Sequence, residues 1–314
     1  MTERLPPDPQ GIARAATLLQ AGALVAMPTE TVYGLAGDAR NSDAVAKIYA
    51  AKGRPGFNPL IVHVEGLEAA RRIADFCPQA EAMARAFWPG PLTMVLPLRE
   101  NAGISPLVTA GLNTVALRLP AHPLARALLR ASGLALAAPS ANPSGRISPT
   151  TADHVFDGLN GRIAAVLDGG PCPVGVESTI IGFDPPRLLR PGGIGVEDIA
   201  TILGLLGAGG NATRPDAPGQ LLSHYAPAAA LRLNVTTPEP DEVFISFGPT
   251  RAAQALTLSP TADLAEAAAA LFSTLRHADA LAGPLGRIAV APIPMTGLGL
   301  AINDRLIRAA APRS

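Results

Sequence analysis

Short apolar runs alternate along the chain with stretches whose apolar residues recur every three or four positions, the pattern of strands interleaved with amphipathic helices. GIARAATLLQAG reads as an opening helix, and ALVAMPT as a buried strand that ends in a proline and polar residues. AVAKIYAAKG reads as the next helix, with Ala44, Ile48 and Ala51 at helical spacing and Gly53 as its stop, before LIVHV resumes as a strand. A helical stretch is predicted from Leu67 to Phe87. PLTMVLPL and TVALRLP read as strands on either side of the Gly/Pro loop NAGISPLVTAGLN. The helix PLARALLRAS then leads to LALAAPSANPSGR, where an apolar strand again ends in small polar residues. A helix around Ala152 to Leu159 and strands at IAAVLDGG, STIIGF and LLRPGG complete an α/β domain predicted over residues 1–206.

Residues 207–228 are Gly/Pro-rich and without periodicity, which predicts a linker too long for an ordinary turn. Beyond it EVFISFG, DLAEAAAALFSTLRHADAL, RIAVAPIP and LGLAINDRLIRAAA alternate strand and helix. That order predicts a small parallel, Rossmann-like α/β domain over residues 229–314.

Composition narrows the function classes. A chain of 314 residues with 48% hydrophobic and 16% charged residues has the length and apolar content for more than one packed core. Its formal net charge of zero gives the surface as a whole no electrostatic reason to hold a nucleic-acid backbone. Cys77 and Cys172 are too few for a disulfide framework and too isolated for a zinc site, as expected in a reducing cytoplasm. No apolar run reaches the ~18 residues of a spanning helix, and nothing marks the chain for export, so a cytoplasmic location is expected.

Lysine usage points to the first candidate site. The chain has two lysines, Lys47 and Lys52, against twenty-three arginines. Lys52 and Arg54 leave a helix end together with Pro55, Gly56 and Asn58, and two cations on a stiff turn suit a polyphosphate. PTETVYG sets Thr29, Glu30, Thr31 and Tyr33 at a strand end, where hydroxyls bond either a polar ligand or the local backbone. His63 alternates with apolar neighbours in LIVHV, as a satisfied core histidine does, yet it follows the Lys52/Arg54 turn closely. Arg118 sits on an apolar strand and needs an anion there, either a fixed Glu or Asp or a bound carboxylate. APSANPSG, with Ser140, Asn142, Ser144 and Gly145, offers donors for a phosphate, although turns use the same residues. Ser178 and Thr179 in VESTI and Arg190 in LLRPGG stand at two further strand ends. Walker A, GxGxxG, HExxH and GxSxG strings are all missing from the sequence.

Taken in order, PTETVYGL, KGRP with NPL and HV behind it, ALRLP, APSANPSG, ESTI, LRPGG and HYAP resemble the L-threonylcarbamoyladenylate synthase family. The resemblance spans Pro28 to Pro227 and is to the longer form, in which a YrdC-like twisted mixed-sheet catalytic domain carries a C-terminal domain. It implies that L-threonine and bicarbonate form an N-carboxy-threonine that attacks the α-phosphate of ATP, releasing pyrophosphate and giving threonylcarbamoyl-AMP. A partner transferase would then carry the threonylcarbamoyl group to the adenosine beside the anticodon of certain tRNAs. Carried onto matching positions, Lys52 and Arg54 become the catalytic phosphate-contacting pair, and Asn58, Thr114, Ser140, Ser148 and Arg190 nucleotide ligands, with Asn142 joining them from the APSANPSG donors. Thr31, His63, Arg118, the backbone of Ala138 and Ser178 become threonine ligands. The linker is implied to fold over the site as a lid that brings Tyr225 to the nucleotide, with HYAP outside both cores and Gly209, Gly210 and Gly219 as flex points. No carboxylate cluster suggests a protein metal cage, so Mg²⁺ is expected to arrive with the ATP phosphates. The rival readings are an RNA-binding module of the same fold, disfavoured by zero net charge, and a carbamoyl-phosphate-using maturation factor, whose zinc modules two cysteines cannot build. Lys52→Arg is expected to separate a proton-transfer role from simple charge neutralisation, since arginine keeps its proton.

Overall fold

The computed structural model describes residues 1–183, 185–208, 224–250 and 255–312. One mixed sheet and one parallel sheet organise them. In chain order the strands of the first are β1 (Glu3–Leu5), β2 (Val25–Met27), β3 (Gly34–Asp38), β4 (Ile61–His63), β5 (Leu92–Pro97), β6 (Thr114–Arg118), β7 (Leu136–Ala137), β8 (Ala165–Leu167), β9 (Thr179–Gly182), β10 (Arg187–Arg190) and β11 (Gly207–Ala208). They lie side by side as β1-β8-β2-β3-β7-β4-β6-β5-β9-β10-β11. The second sheet holds β12 (Ala230–Arg232), β13 (Glu242–Ser246), β14 (Leu256–Thr257) and β15 (Arg287–Val290) in the order β12-β15-β13-β14, every pair parallel. The helices are α1 (Pro9–Gln20), α2 (Ser42–Lys52), α3 (Leu67–Arg71), α4 (Pro78–Phe87), α5 (Pro106–Thr109), α6 (Pro123–Ser132), α7 (Ala152–Leu159), α8 (Val196–Leu203), α9 (Leu264–Ala282) and α10 (Leu298–Ala310). The expected pairing of a mixed-sheet α/β unit with a small parallel α/β unit is what the chain adopts.

Strand register assembles the polar face that matters. Parallel pairing sets His63 of β4 opposite Arg118 of β6, and antiparallel pairing sets Thr93 of β5 opposite the same arginine. β9 runs parallel to β5 with Ile180 opposite Thr93, so Ser178, two residues earlier, shares that face. Beneath this polar row Ile61, Ala116, Ile180 and Leu189 pack as a small apolar cluster. β6 therefore presents polar, apolar, polar along one face, from Thr114 through Ala116 to Arg118.

Three expectations change. The predicted helix from Leu67 to Phe87 is two helices, because Pro78 takes the first turn of α4 with Cys77 as its cap and cannot lie inside a longer helix. Gly207–Ala208, placed at the start of the linker, is instead the edge strand β11, paired in parallel with β10. HYAP, expected outside both cores, is inside one: His224, Tyr225 and Ala226 are all buried, and Tyr225 joins a core cluster with Val32, Ile147 and Val176 of the first unit and Phe272 and Leu306 of the second. Residues 209–223 of the linker, including Gly209, Gly210 and Gly219, lie outside the described residues.

Candidate active site

A pocket of about 560 Å³, counted out to its mouth, opens over the polar row of β4, β6 and β9. Of the residues singled out in the sequence, Thr29, Thr31, Arg54, His63, Arg118, Ala138, Ser140, Ser178, Arg190 and Tyr225 line it. Lys52, Asn58, Asn142 and Ser148 are buried outside its lining, and Thr114 is half-buried at the opposite end of β6 from Arg118.

The cationic wall is built by the end of α2. Asn41 caps the start of this helix by accepting from the backbone of Asp43 and Ala44, and Gly53 ends it at φ +61°, a left-handed turn that glycine makes without strain. Lys52, the last helical residue, turns inward and its Nζ donates to the carbonyls of Ser140 and Asn142. The return contact is backbone, Ser144 N–H to Lys52 O at 2.8 Å, so APSANPSG wraps the helix end. Burial, with Arg54 beside it, pushes the Lys52 ammonium well below its ordinary value. Arg54 lies half-buried on the turn, donating from Nε to Asn58 O at 3.1 Å and from Nη2 to Pro59 O at 2.9 Å. Both side-chain atoms of Asn58 and Oδ1 of Asn142 are buried without a protein partner, an arrangement that costs stability until a ligand supplies one.

On the opposite wall Arg118 already has an anion. Its Nη2 donates to Glu30 Oε1 and its Nη1 to Thr31 Oγ1 at 2.8 Å, while Glu30 Oε2 accepts from the backbone of Ala121 at 3.0 Å and His122 at 3.3 Å. The fixed acid that the sequence left open is thus Glu30. Thr31 bonds Thr29, which donates in turn to Val32 O, so these hydroxyls serve the local backbone as well as the pocket. His63 has no partner at Nδ1, and burial with Arg118 nearby pushes it down to about 3, so it is a neutral imidazole at physiological pH. Arg190 donates through Nη2 to Ser178 O at 2.8 Å and Oγ at 3.2 Å, and Thr93 bonds the same hydroxyl at 2.7 Å.

Both units match known families. Residues 17–192 match the Sua5/YciO/YrdC family, described as telomere recombination, and residues 194–311 match the C-terminal domain of threonylcarbamoyl-AMP synthase. The threonylcarbamoyl-AMP synthase of Bacillus subtilis is 44% identical over 330 aligned positions, covering 98% of this chain and 94% of its own. The chain belongs to the threonylcarbamoyl-AMP synthase family, in its two-domain form. The enzyme of that name from Pyrococcus abyssi is 40% identical over 325 positions, covering 95% of this chain and 94% of its own. The crystal structure of P. abyssi Sua5 complexed with L-threonine superposes with a TM-score of 0.90 at 38% identity, over 99% of this chain and 97% of that one.

The synthase pocket also contains groups to which the sequence analysis gave no role. Glu177 lines it, within the ESTI string quoted for its Ser and Thr, and His224 lines it beside Tyr225. Gly192 explains the glycines of LRPGG. A Cβ there would stand 2.3 Å from Ser178 C and from Thr179 N, backbone atoms that have no room to yield. Gly192→Ala is therefore expected to cost about 3 kcal/mol and to push Arg190 away from Ser178. A melting temperature equal to that of the wild type would refute this packing argument.

Proposed function

We propose that the chain joins L-threonine, bicarbonate and ATP into L-threonylcarbamoyl-AMP with release of pyrophosphate, the first step of threonylcarbamoyladenosine modification of tRNA. The observation that carries this reading is a single pocket with two chemically different walls. One wall, with Lys52 buried behind it and Arg54 on it, suits phosphates, and Arg190, held by Ser178 and facing Arg54, stands where the two walls meet. The other, with Arg118, Thr31, His63 and Ser178, suits an amino acid with a hydroxyl. The P. abyssi Sua5 structure, a complex with L-threonine, supports threonine as a substrate.

In the reaction, bicarbonate releases hydroxide to leave CO₂, the hydroxide takes a proton from the threonine ammonium as water, and the freed amine adds to the CO₂ carbon with its remaining surplus proton passing to solvent. An oxygen of the resulting carbamate then bonds to the α-phosphorus, the bond from that phosphorus to the bridging oxygen breaks, and pyrophosphate leaves with the electron pair. One anion attacking another is repulsive, so fixed positive charge and in-line positioning supply the catalysis. Arg54 and Arg190 supply the fixed charge, Lys52 adds to it once it holds its proton, and Asn58, Ser140, Asn142 and Ser148 supply polar atoms around the nucleotide. The apolar strip of Ile61, Ala116, Ile180 and Leu189 leading toward Thr114 suits a purine face. His63, neutral at working pH and too weak a base to deprotonate an ammonium, serves as a ligand.

Mg²⁺ enters this reading as part of the substrate. Among the described residues no group of three or more His, Cys, Asp or Glu side chains could hold a metal ion. Glu30 and Glu177, the carboxylates at the pocket, are engaged by Arg118 and Arg305 and do not fit as ligands. The product is a labile mixed anhydride, which His224 and Tyr225 at the pocket wall help to shield from water before a partner transferase takes it up.

The experiment is pyrophosphate release from ATP by the purified chain with Mg²⁺ and bicarbonate, with and without L-threonine. Release that requires both bicarbonate and threonine is expected. Release indifferent to threonine, or none, would overturn the proposed reaction.

A further inference from the structure

Helix α10 of the C-terminal unit buries Ala301, Ile302, Arg305, Leu306 and Ala309 on one face, so an arginine lies on an otherwise apolar stripe. Arg305 is fully buried. Its Nε donates to Glu177 Oε2 at 2.8 Å, and its Nη1 donates to Pro191 O at 2.9 Å and to Asp304 Oδ2 at 2.7 Å. Its guanidinium carbon stands 5.4 Å from the centre of the Tyr225 ring, which also makes ring contacts with Phe272 and His224. Glu177 Oε1 accepts from Ser148 Oγ at 2.6 Å. One side chain of the second unit thus touches the ESTI loop, the RPGG loop and HYAP, each of which supplies a pocket wall.

We propose that Arg305 is a positioning residue of the synthase pocket, supplied by the C-terminal unit, and that it holds Glu177, Ser148 and Tyr225 in the arrangement that binds nucleotide. The proposal rests on the reading of this pocket as the ATP site. An ionised Glu177 only accepts, so the Ser148 hydrogen is committed to it. Ser148 is fully buried behind the pocket lining and steadies Glu177 from below the wall. The charged and titratable groups facing Glu177 are Arg305 with Asp304 on α10, Arg190 on β10, and His224 and Tyr225 of HYAP. Burial alone would raise the Glu177 carboxyl, but Arg305 first and then Arg190 hold it at about 2.

The test measures ATP binding by calorimetry on the full chain, from mildly acid to mildly alkaline pH, together with melting temperature. The wild type, Arg305→Lys, Arg305→Met and the double variant Arg305→Met/Glu177→Gln are compared. Arg305→Met is expected to weaken ATP binding on the order of 100-fold, and to make it weaken further as pH rises and a Glu177 left with only Arg190 and Ser148 ionises. Arg305→Lys keeps the charge and the flat pH profile but not the full affinity, because a single compact nitrogen does not occupy the two separate positions from which Nε and Nη1 reach Glu177 and Pro191. The double variant removes the buried charge, so its melting temperature and flat pH profile return while its affinity stays low. Recovery of wild-type affinity along with stability would reduce Arg305 to a counter-charge and overturn the proposal. Unchanged affinity in Arg305→Met would do the same. A wild-type chain that binds ATP yet releases no pyrophosphate on threonine addition overturns the reaction while leaving this comparison intact, and one that binds no ATP overturns both.

Discussion

Above the lowered Lys52 value, ATP binding to the wild-type chain is expected to take up more protons than binding to Lys52→Met does. The Lys52 amine is buried and, among the described residues, forms no ion pair with a carboxylate. Its two contacts are the carbonyls of Ser140 and Asn142, and a neutral amine has the two hydrogens needed to satisfy both. The ammonium has a third N–H, and incoming phosphate provides the charge that makes this proton worth holding. Calorimetry in buffers of different ionisation enthalpy reads the uptake directly. The same buffer dependence in both proteins would rule the exchange out. Turnover in Lys52→Met is expected to fall on the order of 100- to 1000-fold, the scale for loss of one preorganised charge donor.

The same burial sets a sign for stability. Folding lowers the Lys52 value, so the unfolded chain keeps this proton to higher pH than the folded chain does. Lys52 therefore penalises folding below its lowered value, and the penalty fades as pH rises from there toward 10.5. The geometry also changes what Lys52→Arg can report. Two carbonyls close around a compact ammonium leave a planar guanidinium no room, so that variant is expected to lose turnover through packing whatever the role of the charge.

Much of this site could be read in the sequence because its parts are local. The Gly53 stop and the apolar spacing of α2 deliver Lys52 and Arg54 to one turn, while His63 and Arg118 end β4 and β6, Thr31 follows β2 and Ser178 leads into β9, each beside a short apolar strand. What stayed hidden depends on pairing across long separations. β1 is three residues with two exposed, and it becomes a strand only by lying along β8 some 160 positions later. β3 is GLAGD, small residues that read as a loop until β2 and β7 enclose it on both sides. HYAP reads as linker because its burial comes from α9 and α10, not from its own periodicity. Arg305 did leave a signal. The stripe from Ala301 to Ala309 passes through it, and a charged residue on an apolar stripe asks for a partner just as Arg118 does on its strand.

Replacing Arg118 by Met is expected to raise the KM for L-threonine on the order of 100-fold with little change in the KM for ATP. Glu30 and Thr31 occupy Nη2 and Nη1 of the guanidinium, while its Nε is buried without a protein partner at the pocket wall. A substrate carboxylate therefore shares an arginine that a fixed acid already orients, and binds without having to immobilise it. The variant should also lose about 3 kcal/mol of stability, because Glu30 is left buried with one partner fewer. The loss is held to that size by the two N–H groups of Ala121 and His122 at the start of α6, which still face the carboxylate with the positive end of the helix. Glu30→Gln separates the two effects. Burial would raise the Glu30 carboxyl, but Arg118 and the hydrogen bonds outweigh it and bring the value below the ordinary one. Such a carboxylate contributes stability that is fully present above its unfolded value and is lost as pH falls through its folded value. The wild type should thus outlast Glu30→Gln near neutral pH, and the gap in melting temperature should narrow in acid. A gap that holds constant into acid, or a threonine KM unmoved in Arg118→Met, would mean that this pair only packs the sheet and that the substrate carboxylate binds elsewhere.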